Sequence, residues 1–143
     1  MNVSAGLIIT DGNYVLVEQP MGKSKGEGKY DLPKGHVEKD ESFIDAAFRE
    51  AYEETGYDFS NYKYYARPLS SVPMPYNSAK KIILYEVRVD NLPDLSSYKC
   101  KSFFKNSAGK LVPEVIGYAY KPITELSIWL FPNYKKIIDK IKL

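Results

Sequence analysis

Residues 42–56 carry a complete helix signal, and one ridge of that helix is charged in a way that stability alone disfavours. Ser42 offers an N-cap with Asp45 three residues on, a capping-box pattern. Phe43, Ala46, Ala47 and Ala51 supply an inner apolar face, and Gly56 is a C-terminal stop. Glu50, Glu53 and Glu54 fall at i, i+3 and i+4, so their carboxylates share one face. Like charges placed this way cost about 0.2–0.5 kcal/mol per pair. Acidic triplets on exposed helices are commonly just solvated, but a divalent cation among these oxygens would turn the cost into binding. Oxygen donors without soft ligands suit Mg²⁺ or Mn²⁺, which keep waters for a phosphate to displace.

The rest of the chain limits the alternatives. Its 143 residues suit one domain, expected to span residues 1–143. Cys100 is the only cysteine and His36 the only histidine, which excludes an intrachain disulfide framework and zinc sites of several thiolates or imidazoles. A balance of 20 Lys+Arg against 18 Asp+Glu argues against binding nucleic acid through net positive charge. Apolar runs such as 7–9 and 82–84 are too short to cross a bilayer, and the start lacks a leader pattern. The expectation is therefore a soluble cytoplasmic protein.

Residues 3–9 read as a strand, 10–13 as a hairpin turn around Asp-Gly, and 14–18 as its return strand. The glycine- and lysine-rich stretch 21–29 reads as a mobile loop, and 30–33 as extended because Pro33 disfavours helix before it. Further strands are expected at 62–67, 80–89 and 115–120. A last amphipathic helix follows Pro132, with Ile137, Ile138 and Ile141 inward, and Trp129 is expected in the core beneath it. Strands interleaved with helices imply an α/β or α+β domain with a mixed sheet.

The surroundings of the acidic ridge sharpen the reading. Gly35, Glu41, Arg49, Glu50, Glu53, Glu54 and Gly56 fill all seven fixed positions of the pattern G-x5-E-x7-R-E-U-x-E-E-x-G-U, where U is bulky and apolar. The chain thus resembles the Nudix hydrolases over residues 35–57, departing mildly at Ala51 and Tyr57. The resemblance implies an α/β/α sandwich whose box forms a loop–helix–loop, and cleavage of a diphosphate linked to another moiety, usually a nucleotide. It further implies metal ligation by Glu50, Glu53, Glu54 and the Gly35 carbonyl, with Arg49 orienting a carboxylate and Glu41 in support. Glu114, ahead of an aromatic-x-aromatic strand, resembles the base that lies outside the box in many members. Glu114 is equally well read as a surface glutamate at a strand entry, and Glu53 or Glu54 could instead deprotonate the water, since the roles of carboxylates in one cluster are not separable by sequence.

Pro33-Lys34-Gly35-His36 resembles the branch acting on dinucleoside polyphosphates and diphosphoinositol polyphosphates. Lys34 and His36 would add positive charge beside the metal, though His36 is equally well read as a plain loop residue. Lys80 and Lys81 open a strand and are candidates for terminal phosphates, one of them facing water. Tyr76, in a proline-rich loop, is a candidate for stacking on a base, an interaction worth about 1–3 kcal/mol. Tyr62, Tyr64 and Tyr65 are expected on a strand. Lys23, Lys25 and Lys29 fit a diphosphoinositol polyphosphate or capped RNA as the alternative substrate. A non-catalytic nucleotide-binding module is disfavoured, because binding alone has no need of mutually repelling carboxylates.

Overall fold

The computed structural model describes residues 2–22 and 28–143. Lys23 and Lys25 lie outside the described residues. Strand β1 (Asn2–Thr10) turns at Asp11, whose Oδ1 accepts from the Asn13 and Tyr14 amides at 2.8 and 2.9 Å, and returns as β2 (Tyr14–Pro20). After Pro33 comes the short strand β3 (Lys34–His36), then helix α1 (Phe43–Thr55). Strands β4 (Arg67–Pro68), β5 (Met74–Pro75) and β6 (Lys80–Arg88) follow. A separate hairpin, β7 (Phe103–Lys105) with β8 (Leu111–Pro113), leads into β9 (Val115–Pro122), and two short helices close the chain, α2 (Leu126–Trp129) and α3 (Lys135–Lys140).

The main sheet runs β4-β6-β1-β2-β9, with β3 also on β1 and β5 also on β6. It is mixed: β1 and β6 are parallel along their whole lengths, and the other pairs are antiparallel. One detail creates the site. β2 pairs with β1 at Thr10 and Val15, then peels away to run along β9. The edge of β1 so vacated is taken by β3, with Ser4 opposite His36 and Gly6 opposite Lys34. The sheet therefore splits, and the loop entering the helix is stitched into the fork.

Alternation along the strands fills two cores. Ala5, Leu7 and Ile9 of β1 join Ile83, Tyr85 and Val87 of β6 under Ala46, Ala47, Phe48 and Ala51 of α1. On the other face, Ile8, Ile82 and Leu84 pack with Val15, Val17, Leu126, Leu130, Tyr134 and Ile137. Helices on both faces make the expected α/β/α sandwich of the Nudix fold.

Several local expectations need correction. Phe43 is 37% exposed, and Phe48 takes the inward aromatic place on α1. Residues 62–67 are not a strand: Ser60–Tyr65 is a 3₁₀ turn begun by Asp58, whose Oδ1 accepts from the Ser60 amide at 2.9 Å. Tyr62 packs on the core while the adjacent Tyr64 and Tyr65 both face outward, which breaks the alternation expected of a strand. Trp129 is only half-buried. Its Nε1 donates to Glu125 at 3.0 Å and the Lys121 ammonium lies 3.7 Å from a ring centroid, while Leu126 and Leu130 do the core packing.

The caps of α1 are as the sequence implies. The Ser42 Oγ accepts from the Asp45 amide at 3.2 Å, and Gly56 has φ 68° with its N–H bonded to the Tyr52 carbonyl. A Cβ on Gly56 would lie 2.2 Å from the Lys99 carbonyl oxygen. Gly56→Ala should therefore cost about 1–3 kcal/mol of stability in denaturant unfolding. An unchanged midpoint would contradict this close approach.

Candidate active site

Gly35 of β3 lies directly under the Glu50 side chain of α1, so a larger residue there would have to displace that carboxylate. A Cβ at that position would stand 2.0 Å from the Glu50 carboxyl carbon.

Arg49 organises the rest. Its Nε and Nη2 donate to the two oxygens of Glu41 at 2.8 and 3.0 Å, a bidentate pair. Nη1 reaches Glu50 Oε1 at 2.9 Å and Glu53 Oε2 at 3.0 Å, and Nη2 also reaches the His36 carbonyl at 2.9 Å. Glu41 further accepts from the Glu38 amide at 3.0 Å, and its pKa is lowered, chiefly by the Arg49 hydrogen bonds. The expected roles of Arg49 and Glu41 thus have a geometric basis: one guanidinium ties the entry loop to the acidic ridge.

The carboxylates on the ridge are crowded. Burial, ahead of repulsion from Glu53 and Glu114, raises Glu50 to about 7 despite Arg49. Glu54 is buried, accepts from the Lys34 amide at 3.2 Å, and is likewise raised to about 7, first by burial. Glu53 is the more open of the three.

Two adjoining cavities meet at this ridge. The smaller, about 230 Å³, is lined by Glu50, Glu53, Glu54, Gly35, His36 and Glu114 among others. The larger, about 520 Å³, shares Lys34, Glu54, Lys80 and Glu114 with it and extends to Tyr76, Phe104 and Phe131. Most of the candidate residues are therefore brought together. Lys81 is not: as the neighbour of Lys80 on a strand it points to the opposite face and borders neither cavity. Burial disfavours the charge of Lys34, but its ion pair with Asp31 at 3.4 Å outweighs this and raises its pKa. Its ammonium lies 5.4 Å from the Tyr76 ring centroid, and Tyr134 meets the same ring edge-on at 5.0 Å. Tyr76 thus borders the larger cavity with part of its ring already covered. His36 engages Arg49 through its carbonyl and leaves its side chain at the mouth of the smaller cavity.

Sequence reasoning missed Glu18 and Asp31, which also line the larger cavity, along with Phe104 and Phe131. For Glu18 a signal existed, a lone carboxylate ending the apolar run Val15-Leu16-Val17.

As the side chains stand, no three His, Cys, Asp or Glu residues among the described ones are arranged to hold a metal ion. Arg49 occupies the near oxygens of Glu50 and Glu53 instead. The chemistry of the site nevertheless fits a hard dication. Every side-chain donor is an oxygen, and a buried carboxylate oxygen, Glu18 Oε1, has no partner.

The NUDIX domain model matches residues 1–95, two thirds of the chain. The protein belongs to the Nudix family. A 17.7 kDa protein of Enterobacteria phage T4, from the e-segB intergenic region, is 30% identical over 97% of this chain and 94% of its own length. The mRNA decapping complex subunit 2 of Schizosaccharomyces pombe is 32% identical over 52% of this chain, a match that spans 12% of that protein. Among solved structures, a C. elegans Ap4A hydrolase in a binary complex superposes with a TM-score of 0.64 at 16% identity, covering 98% of this chain and 94% of that one. The Nudix domain of Shewanella oneidensis NrtR, complexed with ADP ribose, gives 0.64 at 15% identity over 96% and 84%. This Nudix protein is a pyrophosphohydrolase acting on phosphoanhydrides, and none of its described helices is long and apolar enough to cross a membrane.

The raised pKa values carry a sign. Glu50 and Glu54 ionise near 4.5 when unfolded and near 7 when folded, so the stability they contribute is full below the first value and lost as pH rises through the second. With cations chelated, the melting temperature should fall from about pH 5 to about pH 8, and Mg²⁺ should restore it at the upper end. A metal-free melting temperature that climbs across this window would contradict the crowded ridge.

Proposed function

We propose that this Nudix pyrophosphohydrolase is Mg²⁺- or Mn²⁺-dependent and cleaves a phosphoanhydride of a nucleoside or dinucleoside polyphosphate. The observation that carries the reading is the junction of the two cavities. A carboxylate-lined chamber opens, past Lys34 and Lys80, onto a longer one that ends at aromatic rings. That polarity suits a phosphate chain with a nucleoside at its end. The fold likeness to the C. elegans Ap4A hydrolase is in keeping with it.

In this reading Glu50, Glu53, Glu54 and the Gly35 carbonyl hold the cation, and Arg49, anchored by Glu41, aims the first two. A bound dication neutralises phosphate charge and lowers the pKa of an attacking water. Lys34 and Lys80 face the phosphate chain and His36 flanks it, while Tyr76 borders the nucleoside end. Glu114 receives the proton of the attacking water. It stands across the smaller cavity from Glu50, near enough to raise its pKa, and Arg49 does not engage it. One catalytic domain over residues 1–143, in the cytoplasm, completes the proposal.

Capped RNA is the second reading, favoured by the 32% identity to the decapping subunit. Of the loop lysines expected to serve it or an inositol pyrophosphate, Lys29 is engaged elsewhere, its Nζ donating to the Ile128 carbonyl at 2.6 Å.

Glu53→Gln should lower kcat by about 10²-fold or more with an unchanged circular dichroism spectrum. A folded variant working at the parental rate would remove Glu53 from the cation site. Product release should be assayed across diadenosine polyphosphates, nucleoside triphosphates, ADP-ribose and capped RNA, with and without Mg²⁺. Metal-dependent cleavage led by the (di)nucleoside polyphosphates is expected. Equal turnover without metal, or turnover of capped RNA alone, would overturn the corresponding part of the proposal.

A further inference from the structure

The last turn of α1 carries its carboxylates at the end of a helix least suited to them. Glu53 and Glu54 are followed within the helix only by Thr55, and this turn has no basic residue. Carboxylates there face the negative end of the helix dipole, and a terminal turn frays more readily than the turns before it.

The last four carbonyls of a helix have no partner within it, so whatever meets them decides whether the turn stays closed. The Tyr52 carbonyl accepts from the Gly56 amide at 2.7 Å. Those of Glu53 and Thr55 accept from the Lys101 and Lys99 amides, each at 2.7 Å, so the segment 99–101 runs along the helix end. The Glu54 carbonyl is met by a side chain instead: from β9 the Tyr118 hydroxyl donates to it at 2.5 Å. Tyr118 is itself held from two sides, by the pairing of β9 with β2 and by the Tyr98 ring, 5.3 Å away between centroids. Of the four carbonyls, this is the one whose donor a substitution can remove without touching the backbone.

We propose that Tyr118 is a positioning residue: its hydroxyl keeps the last turn of α1 closed against the repulsion of its own carboxylates, and so sets Glu53 and Glu54 for the cation. Tyr118 borders neither cavity of the site, so it acts through the helix and not on the substrate. A cation bound at the ridge relieves the same repulsion. The hydrogen bond and the cation therefore support one another, and losing the first weakens the second. This role rests on the proposed cation dependence, and the test separates the two.

Tyr118→Phe removes the hydroxyl alone. Tyr120→Phe is the control, two residues along the same strand, where the hydroxyl donates to the Pro93 carbonyl at 2.5 Å and bonds the Tyr98 hydroxyl, neither of them in α1. Both variants should fold, with similar small falls in melting temperature. In Tyr118→Phe the dissociation constant for Mn²⁺, read by electron paramagnetic resonance without nucleotide, should rise about 3- to 10-fold, the worth of one hydrogen bond. Tyr120→Phe should keep the parental value. In Tyr118→Phe kcat should fall at limiting Mg²⁺ and recover at saturating Mg²⁺, with KM for the nucleotide unchanged. Hydrogen exchange in the metal-free proteins gives a second readout: amides 53–55 should be as protected as 47–51 in the parent and exchange faster in Tyr118→Phe alone. Equal Mn²⁺ affinity in the parent and Tyr118→Phe, or the same weakening in Tyr120→Phe, would overturn the proposal and leave the cation dependence standing. So would last-turn amides that exchange freely in the parent, with no variant required. A parent that binds no Mn²⁺ would sink the cation dependence and this role with it.

Discussion

The guanidinium of Arg49 is the contact on which the site depends. It holds Glu41 with two hydrogen bonds, the His36 carbonyl with another, and Glu50 and Glu53 with the two N–H bonds of Nη1. Without that positive centre the entry loop and the acidic ridge would have no common anchor, and the carboxylates would repel one another unchecked. Arg suits this place where Lys would not, because its planar fork can satisfy several acceptors in fixed directions at once. Even so, one guanidinium does not offset the burial of the ridge, which with the neighbouring carboxylates raises Glu50 and Glu54 to about 7. The structure is organised and electrostatically short of positive charge together, as expected of a site built for a cation.

The fold delivers this arrangement through a fork in the sheet. Because β2 leaves β1 after the hairpin, β3 can occupy the vacated edge, which places Gly35 under Glu50. The same divergence brings Glu18 to Glu54 and opens the larger cavity between the two halves. The two apolar cores hold the fork open from either face, α1 on one side and the C-terminal helices on the other. Catalytic placement and core packing thus follow from one topological feature.

What could be read in the sequence was whatever local spacing dictates. The helix, its caps and the shared face of Glu50, Glu53 and Glu54 depend on intervals of three and four residues, and the structure reproduces them. Short segments were misread where the pattern is too brief to fix a period. Tyr62, Lys63 and Tyr64 alternate like a strand in sequence, yet Asp58 starts a 3₁₀ turn there, and Trp129 sits over Lys121 at the surface where hydrophobicity implied a buried place. The β7–β8 hairpin, with Phe104, carries no strong alternation and escaped notice. Glu18 was missed for a different reason: its significance lies in Glu54, a residue on another element that only the fold brings alongside. Lys80 and Lys81 were equivalent in sequence, and only the register of β6 against β1 decides which one borders the cavities.

The central claim is that this oxygen-lined ridge beside Gly35 is a cation site for phosphoanhydride cleavage. Anomalous diffraction from crystals soaked with Mn²⁺ and a non-hydrolysable dinucleoside polyphosphate tests it most directly. The account predicts a manganese peak between the Gly35 carbonyl and the carboxylates of Glu50 and Glu53, touching a phosphate oxygen. A nucleotide bound with no manganese at that ridge, or with the metal held elsewhere, would contradict it.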